Sequence, residues 1–106
     1  MVYVFDIDNT ICYTNNSDYQ NSVPMEERIS KINALYAEGH TIIFQTARGM
    51  GRSNNCAALA IKNFKAITEK QLKDWDVKYH DLFLGKPSGD VYIDDKGVKD
   101  EQFFAN

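Results

Sequence analysis

Two short apolar runs, Val2-Tyr-Val-Phe5 and Thr41-Ile-Ile-Phe44, flank one amphipathic stretch, and polar residues able to do chemistry follow each run. Neither run alternates, as expected of strands buried on two sides, so Val2–Phe5 is predicted as a central strand. Between them, Met25, Ile29, Ile32 and Leu35 or Tyr36 make one apolar stripe at helical spacing. Ser22 stands near the cap, Pro24 suits the first helical position, and Glu26 and Glu27 favour the positive end of the helix dipole. Gly39 ends the helix. Residues 2–46 therefore read as a β-loop-α-β unit, whose crossover sets the two strands parallel in one sheet.

From Ser53 to Trp75 the spacing predicts helix with a break. Ala60, Phe64 and Ile67 share a face, and Thr68-Glu-Lys-Gln71 has the form of a capping box opening a second short helix through Leu72 and Trp75. Asp81–Leu84 and Val91–Ile93 are further strand candidates. Only Gly85–Asp90 lies between them, too little for a crossover helix, which leaves the pairing of the 82–84 segment open. Residues 11–22 are polar and read as a flap, while Phe103 and Phe104 are expected to anchor the tail. At 106 residues there is room for one α/β domain, 1–106, with one core.

The net charge of −3 and pI near 5.2 disfavour a nucleic-acid partner, since affinity for a phosphate backbone comes from clustered Lys and Arg. The longest apolar run, Met1–Phe5, is too short for a membrane span or a signal peptide, so the default location is cytoplasmic. Cys12 and Cys56 form no CxxC pair and read as reduced structural residues.

Four polar clusters follow apolar runs: Asp6 and Asp8, Thr46, Lys86, and Asp94 with Asp95. Each alone has an ordinary explanation as a turn, a cap or a solvated pair. Ligands of open α/β sheets bind outside the carboxyl ends of the strands. If the runs point the same way, all four clusters converge there. Three carboxylates together repel unless a hard cation sits between them, and Mg²⁺ takes oxygen ligands of this kind. Thr46 and Lys86 add a hydroxyl and a positive charge suited to phosphoryl oxygens, and a carboxylate in such surroundings can act as a nucleophile.

Val4-Phe-Asp6-Ile-Asp8-Asn-Thr10, the strand-ending Thr46, Lys86 and Val91-Tyr-Ile-Asp94-Asp95 resemble, in order, the four motifs of the haloacid dehalogenase (HAD) superfamily. Thr46-Ala-Arg-Gly-Met50, Phe83-Leu-Gly-Lys-Pro87 and Tyr92-Ile-Asp-Asp-Lys96 are similar to the small HAD phosphatases of capsule and surface-polysaccharide biosynthesis. The resemblance implies a three-layer Rossmann-like fold with a mostly parallel central sheet. It implies Asp6 as nucleophile and Mg²⁺ ligand, and Asp8 as acid–base whose carbonyl also binds the metal. Thr46 and Lys86 would hold the phosphoryl group, Asp94 would bind Mg²⁺, Asp95 would act through water, and Thr10 would brace the loop. Asn9 stands where many relatives carry Gly, and Asn tolerates the left-handed backbone. In this superfamily a second Asp two residues on accompanies phosphatases rather than dehalogenases.

Neither Thr10–Thr46 nor Thr46–Lys86 has space for a cap domain, so the resemblance implies a capless phosphatase acting on a small phosphorylated sugar or polyol. A homo-oligomer is the expected means of completing so open a site. Arg48, Tyr13, Asn15 and Asn16 are candidate substrate contacts, with a structural salt bridge an equal alternative for Arg48 and a solvated loop for the others. His80 reads as a packing or surface residue. Rival readings are a receiver-like phospho-acceptor, an inactive binding module and a nucleic-acid end phosphatase. The order of the acidic motifs argues against the first, the complete residue set against the second and the charge against the third.

Overall fold

The computed structural model describes residues 1–105. In chain order these form β1 (Val2–Phe5), β2 (Cys12–Tyr13), a 3-10 turn (Tyr19–Asn21), β3 (Val23–Pro24), α1 (Glu26–Ala37), β4 (Thr41–Thr46), α2 (Ala57–Asp74), β5 (Asp81–Leu84) and α3 (Asp100–Phe103). The fold is α/β. A parallel sheet runs β1-β4-β5, with Phe5 opposite Phe44 and Phe44 opposite Leu82. The 82–84 segment thus pairs with β4 and is reached through α2. β2 and β3 make a separate antiparallel pair in the flap.

Strand order advances one way across the sheet, and right-handed crossovers then put α1 and α2 on the same face. Burial follows that rule. Phe5, Ile42 and Phe44 are buried on one face against Ile29 and Ile32 of α1 and Leu72 of α2. A fully buried Phe such as Phe44 contributes about 2 kcal/mol. On the opposite face Val2, Val4 and Phe83 are 63%, 59% and 50% exposed. The described residues therefore form two layers where three were expected, and β1 is an edge strand, not a central one. Valine favours extended backbone through its stiff, branched side chain as well as through burial, so an unbroken apolar run overstated how enclosed β1 is.

Several expected boundaries also shift. Pro24 pairs with Cys12 in the short flap ladder and does not open α1, whose first residue is Glu26. Gly39 ends that helix as expected: at φ +95° it directs its own N–H to the Tyr36 carbonyl and that of His40 to Leu35. α2 is unbroken, because the Thr68 hydroxyl donates to the Phe64 carbonyl (2.8 Å) within the helix and caps no new one. It starts at Ala57 because Ser53 closes a turn on the N–H of Cys56. His80 is structural, accepting the Ile42 N–H on Nδ1 (3.0 Å) and stacking on Tyr36.

The expected strand at Val91–Ile93 does not form. Irregular backbone runs from Gly85 to Lys99, and every residue from Pro87 to Lys99 is exposed. A parallel crossover needs about a dozen residues, and Gly85–Asp90 falls short of that. The tail then docks as expected. Phe103 packs edge-on to Tyr3 and Phe5, Arg28 lies 4.7 Å from the Phe104 ring centroid, and Arg28 pairs with Asp100 at 2.7 Å. No helix among the described residues is long and apolar enough to cross a membrane.

Candidate functional site

The parallel sheet directs the ends of β1, β4 and β5 to one edge, and three of the four predicted clusters meet there. Past β1 the backbone turns at once: Thr10 and Ile11 donate their N–H groups to the Ile7 carbonyl, and Asn9 takes φ 61°. A residue free of β-branching is required at that angle, and the short amide of Asn suits it. The Asn9 side-chain oxygen accepts the Thr14 N–H (3.2 Å), tying the turn to the flap. The main-chain carbonyl of Thr10 accepts from Arg28 Nη1 at 3.0 Å.

Asp6 leaves β1 half-buried, and burial raises its proton affinity above that of an ordinary carboxyl. The Lys86 charge and the N–H of Ile7 oppose that rise, whereas nearby Asp8 reinforces it. Lys86 is set in place by its own N–H, which donates to the Thr46 carbonyl (3.2 Å), and its ammonium lies 4.3 Å from the Tyr92 ring centroid. Thr46 is fully buried at the end of β4, and its hydroxyl accepts the Arg48 N–H at 3.1 Å.

Asp8 is held from several sides. Arg48 Nε reaches both carboxylate oxygens (3.2 and 3.1 Å), Nη2 reaches Oδ1 (3.0 Å), and Thr14 Oγ1 donates to Oδ1 at 2.6 Å. Arg48 is only 1% exposed. Its Nη1 donates to Thr68 and Gln71, and the guanidinium lies 4.9 Å from the Tyr19 ring centroid. Arg48 is therefore a buried clamp on Asp8, which is the salt bridge among its two sequence readings, and it also lines the cleft over Asp6 and Asp8.

Thr14, Thr68, Gln71 and Tyr19 are the residues that sequence reasoning missed. Thr68 and Gln71 are three apart on α2 and so share a face. That spacing was visible, but it was read as a capping box. Nothing local to the flap marks Thr14 or Tyr19, whose roles arise from folding over Asp8 and Arg48.

A cleft of about 340 Å³ opens over Asp6 and Asp8, bordered by Thr14, Asn16, Tyr19 and Ser88. Tyr13 and Asn15 line an adjoining hollow of about 510 Å³ beneath the flap, with Asn9 and Thr14 common to both. Asp94 and Asp95 stand apart. They lie in the exposed run after Ser88, where the Lys96 N–H donates to Asp94 Oδ1 (3.1 Å) and holds that carboxyl below its ordinary range. The expectation that they follow a strand into the site fails within a single chain, because that strand is absent. Accordingly, no group of three acidic, His or Cys residues suited to a metal occurs among the described residues. Cys12 is buried, which pushes its thiol up, in keeping with a structural role.

The loop after Arg48 depends on glycine. Gly49 adopts φ +78°, its N–H donates to the Tyr19 hydroxyl (3.2 Å), and an added Cβ would strike the Phe64 ring. Gly49→Ala is expected to cost about 2 kcal/mol, read as a lowered midpoint in urea unfolding.

No family model matches this chain, and no curated protein matches it. Among solved structures, a crystal structure of a structural-genomics target from Vibrio cholerae is similar, with a TM-score of 0.90 and 27% identity over 99% of this chain and 88% of that one.

Proposed function

We propose that this chain is a Mg²⁺-dependent phosphomonoesterase of the HAD superfamily, a capless phosphatase working through an aspartyl-phosphate on Asp6. The observation that carries the reading is the pairing at the sheet edge: a half-buried carboxylate beside the Lys86 charge, and a second carboxylate oriented by a buried arginine. Both suit attack on a phosphoryl group.

The donor set fits a hard cation in part. Mg²⁺ is commonly held by one or two carboxylates with phosphate and water. Asp6 and the Asp8 carbonyl would hold it here, with Asp94 as a further ligand if its segment reached the edge. The bound ion would neutralise charge on the phosphoryl oxygens. An Asp6 oxygen then attacks phosphorus as the ester P–O bond breaks, and the leaving alcohol takes a proton through Asp8. Asp8 next accepts a proton from water as that water attacks the aspartyl-phosphate, releasing inorganic phosphate and restoring Asp6. Lys86 balances charge on Asp6 and on the phosphoryl group, and Thr46 positions the phosphoryl group. Because Asp8 presents both oxygens to Arg48, proton transfer requires one of them to turn into the cleft, which Asp8 borders with one-fifth of its side chain exposed.

The open cleft and the polar flap favour a small phosphorylated sugar or polyol, in keeping with the resemblance to polysaccharide-biosynthesis phosphatases. Phosphate release from such a panel, with Mg²⁺ and after chelation, tests the reading: no Mg²⁺-dependent turnover of any member would refute it. A specific observation favours the rival of a phospho-acceptor or binding module, namely that Asp94 lies off the site within one chain. Repeated turnover separates the two.

A pH consequence follows from Asp6. In the metal-free protein burial raises its pKa above the ordinary 3.8. Asp6 is therefore expected to take up its proton at a higher pH than an ordinary aspartate, read as a carboxyl titration by NMR in chelator. Added Mg²⁺ is expected to lower that midpoint. A metal-free midpoint in the ordinary carboxyl range would contradict this.

A further inference from the structure

We propose that Val91–Ile93 of one chain adds as a strand to the free edge of β1 in a second copy. The two copies thereby exchange arms in a homodimer, and each delivers its Asp94 to the other's Asp6. The inference rests on the phosphatase reading for the role of Asp94, but not for the exchange itself.

The arm is built like a strand and is unpaired. Val91, Tyr92 and Ile93 are 74%, 54% and 94% exposed, an unusual state for consecutive β-formers. The receiving edge is equally bare. Among the described residues β1 pairs only with β4, so its outer N–H and C=O groups form no ladder there, and Val2 and Val4 are exposed beside them. Parallel sheets are ordinarily covered, and open edges are ordinarily blunted.

Reach decides between the arm's own chain and another. Since β1 ends at Phe5, a three-residue parallel partner reaches no further than Ile93 opposite Phe5. Val91 then stands opposite Tyr3, and Asp94 comes level with Asp6. The arm leaves from the carboxyl edge, where Lys86 is bonded to Thr46 and Ser88 donates its N–H to Asn55 Oδ1 (2.9 Å). Thr46 is level with Ile7 in the sheet register. From that level down to Tyr3 is roughly 13 Å along the strands, and from β5 across to the free side of β1 is three interstrand spacings, roughly 14 Å, so the straight line is roughly 19 Å. The five steps from Lys86 to Val91 span at most about 18 Å, and that straight line passes through the sheet itself. A chain can therefore seat its own α3 against Tyr3 and Phe5 only by leaving Val91–Ile93 off the sheet. The irregular run that results, Gly85–Lys99, is longer than loops in compact domains usually are. The alignment with the Vibrio cholerae crystal structure runs through this segment. In a second copy no such limit applies, and α3 follows the strand into the matching seat, with Lys86–Asp90 as the hinge.

Light scattering at micromolar concentration is expected to give a dimer for the wild type and a monomer for Ile93→Asp, a change made at a side chain that the single chain leaves exposed. A wild-type monomer, or a dimer indifferent to Ile93→Asp, overturns the exchange. Asp6→Asn and Asp94→Asn chains are then refolded together. A mixed dimer holds one intact site, so activity is expected to return to about a quarter of wild type after random mixing. If the wild type turns over substrate but the mixture stays dead, Asp94 serves its own chain and the delivery is overturned. A dimer dissolved by Ile93→Asp but inert on every phosphomonoester supports the exchange and sinks the phosphatase reading alone.

Discussion

Asp6→Asn is expected to lower turnover of p-nitrophenyl phosphate in Mg²⁺ by about 10³-fold or more, because the amide cannot form the aspartyl-phosphate on which both half-reactions depend. The same change is expected to stabilise the metal-free protein near neutral pH. Folding raises the Asp6 pKa, so the native state binds more protons than the unfolded chain. Stability then declines as pH climbs from the ordinary 3.8 through the raised value. Asn removes the charge responsible. Lost activity together with a raised midpoint in thermal melts distinguishes a chemical role from a folding defect. Full activity in the variant would sink the mechanism, and a fall in stability would contradict the electrostatic reading of Asp6.

Arg48→Met carries the largest expected cost to the fold, about 3 kcal/mol. It leaves Asp8 without its countercharge, and Thr68 and Gln71 without the donor they share. For a domain of this size that corresponds to a fall in Tm of more than about 10 °C. The side chain of Arg48 is fully buried while that of Asp8 is one-fifth exposed, which keeps the figure below that of a wholly enclosed pair. Combining Arg48→Met with Asp8→Asn is expected to recover part of the loss, since no uncompensated charge then remains. A surface role for Arg48 would show itself as a change of less than about 0.5 kcal/mol in the single variant.

These two residues show what was legible in the chain. Asp6 followed from its place after an apolar run, because strand ends in a parallel sheet share one edge, and β1 and β4 pair as the helix between them required. Lys86 came with β5 even though the pairing of that strand was not deducible, since its crossover helix α2 had been read as two pieces. Arg48 was noticed by position, but its direction was not. That depends on Gln71 and Tyr19, which lie far along the chain in either direction and reveal nothing in their own neighbourhoods. The clearest mismatch is Val91–Ile93. Its composition is that of a strand, and local composition carries no information about whether the preceding hinge can reach a partner. Six residues after β5 cannot make that crossing, so the acidic pair that looked like part of one site lies outside it in the single chain.

Trapping the phosphoryl group most directly tests the central claim. A single turnover of a phosphomonoester in Mg²⁺, quenched in acid at successive times and mapped by peptide mass spectrometry, is expected to show one phosphoryl group on the Asp6 peptide. The signal should rise and decay within the turnover and be absent from Asp6→Asn. Turnover with no phosphoryl group on Asp6 at any time, or a phosphoprotein that persists after the substrate is exhausted, would contradict it.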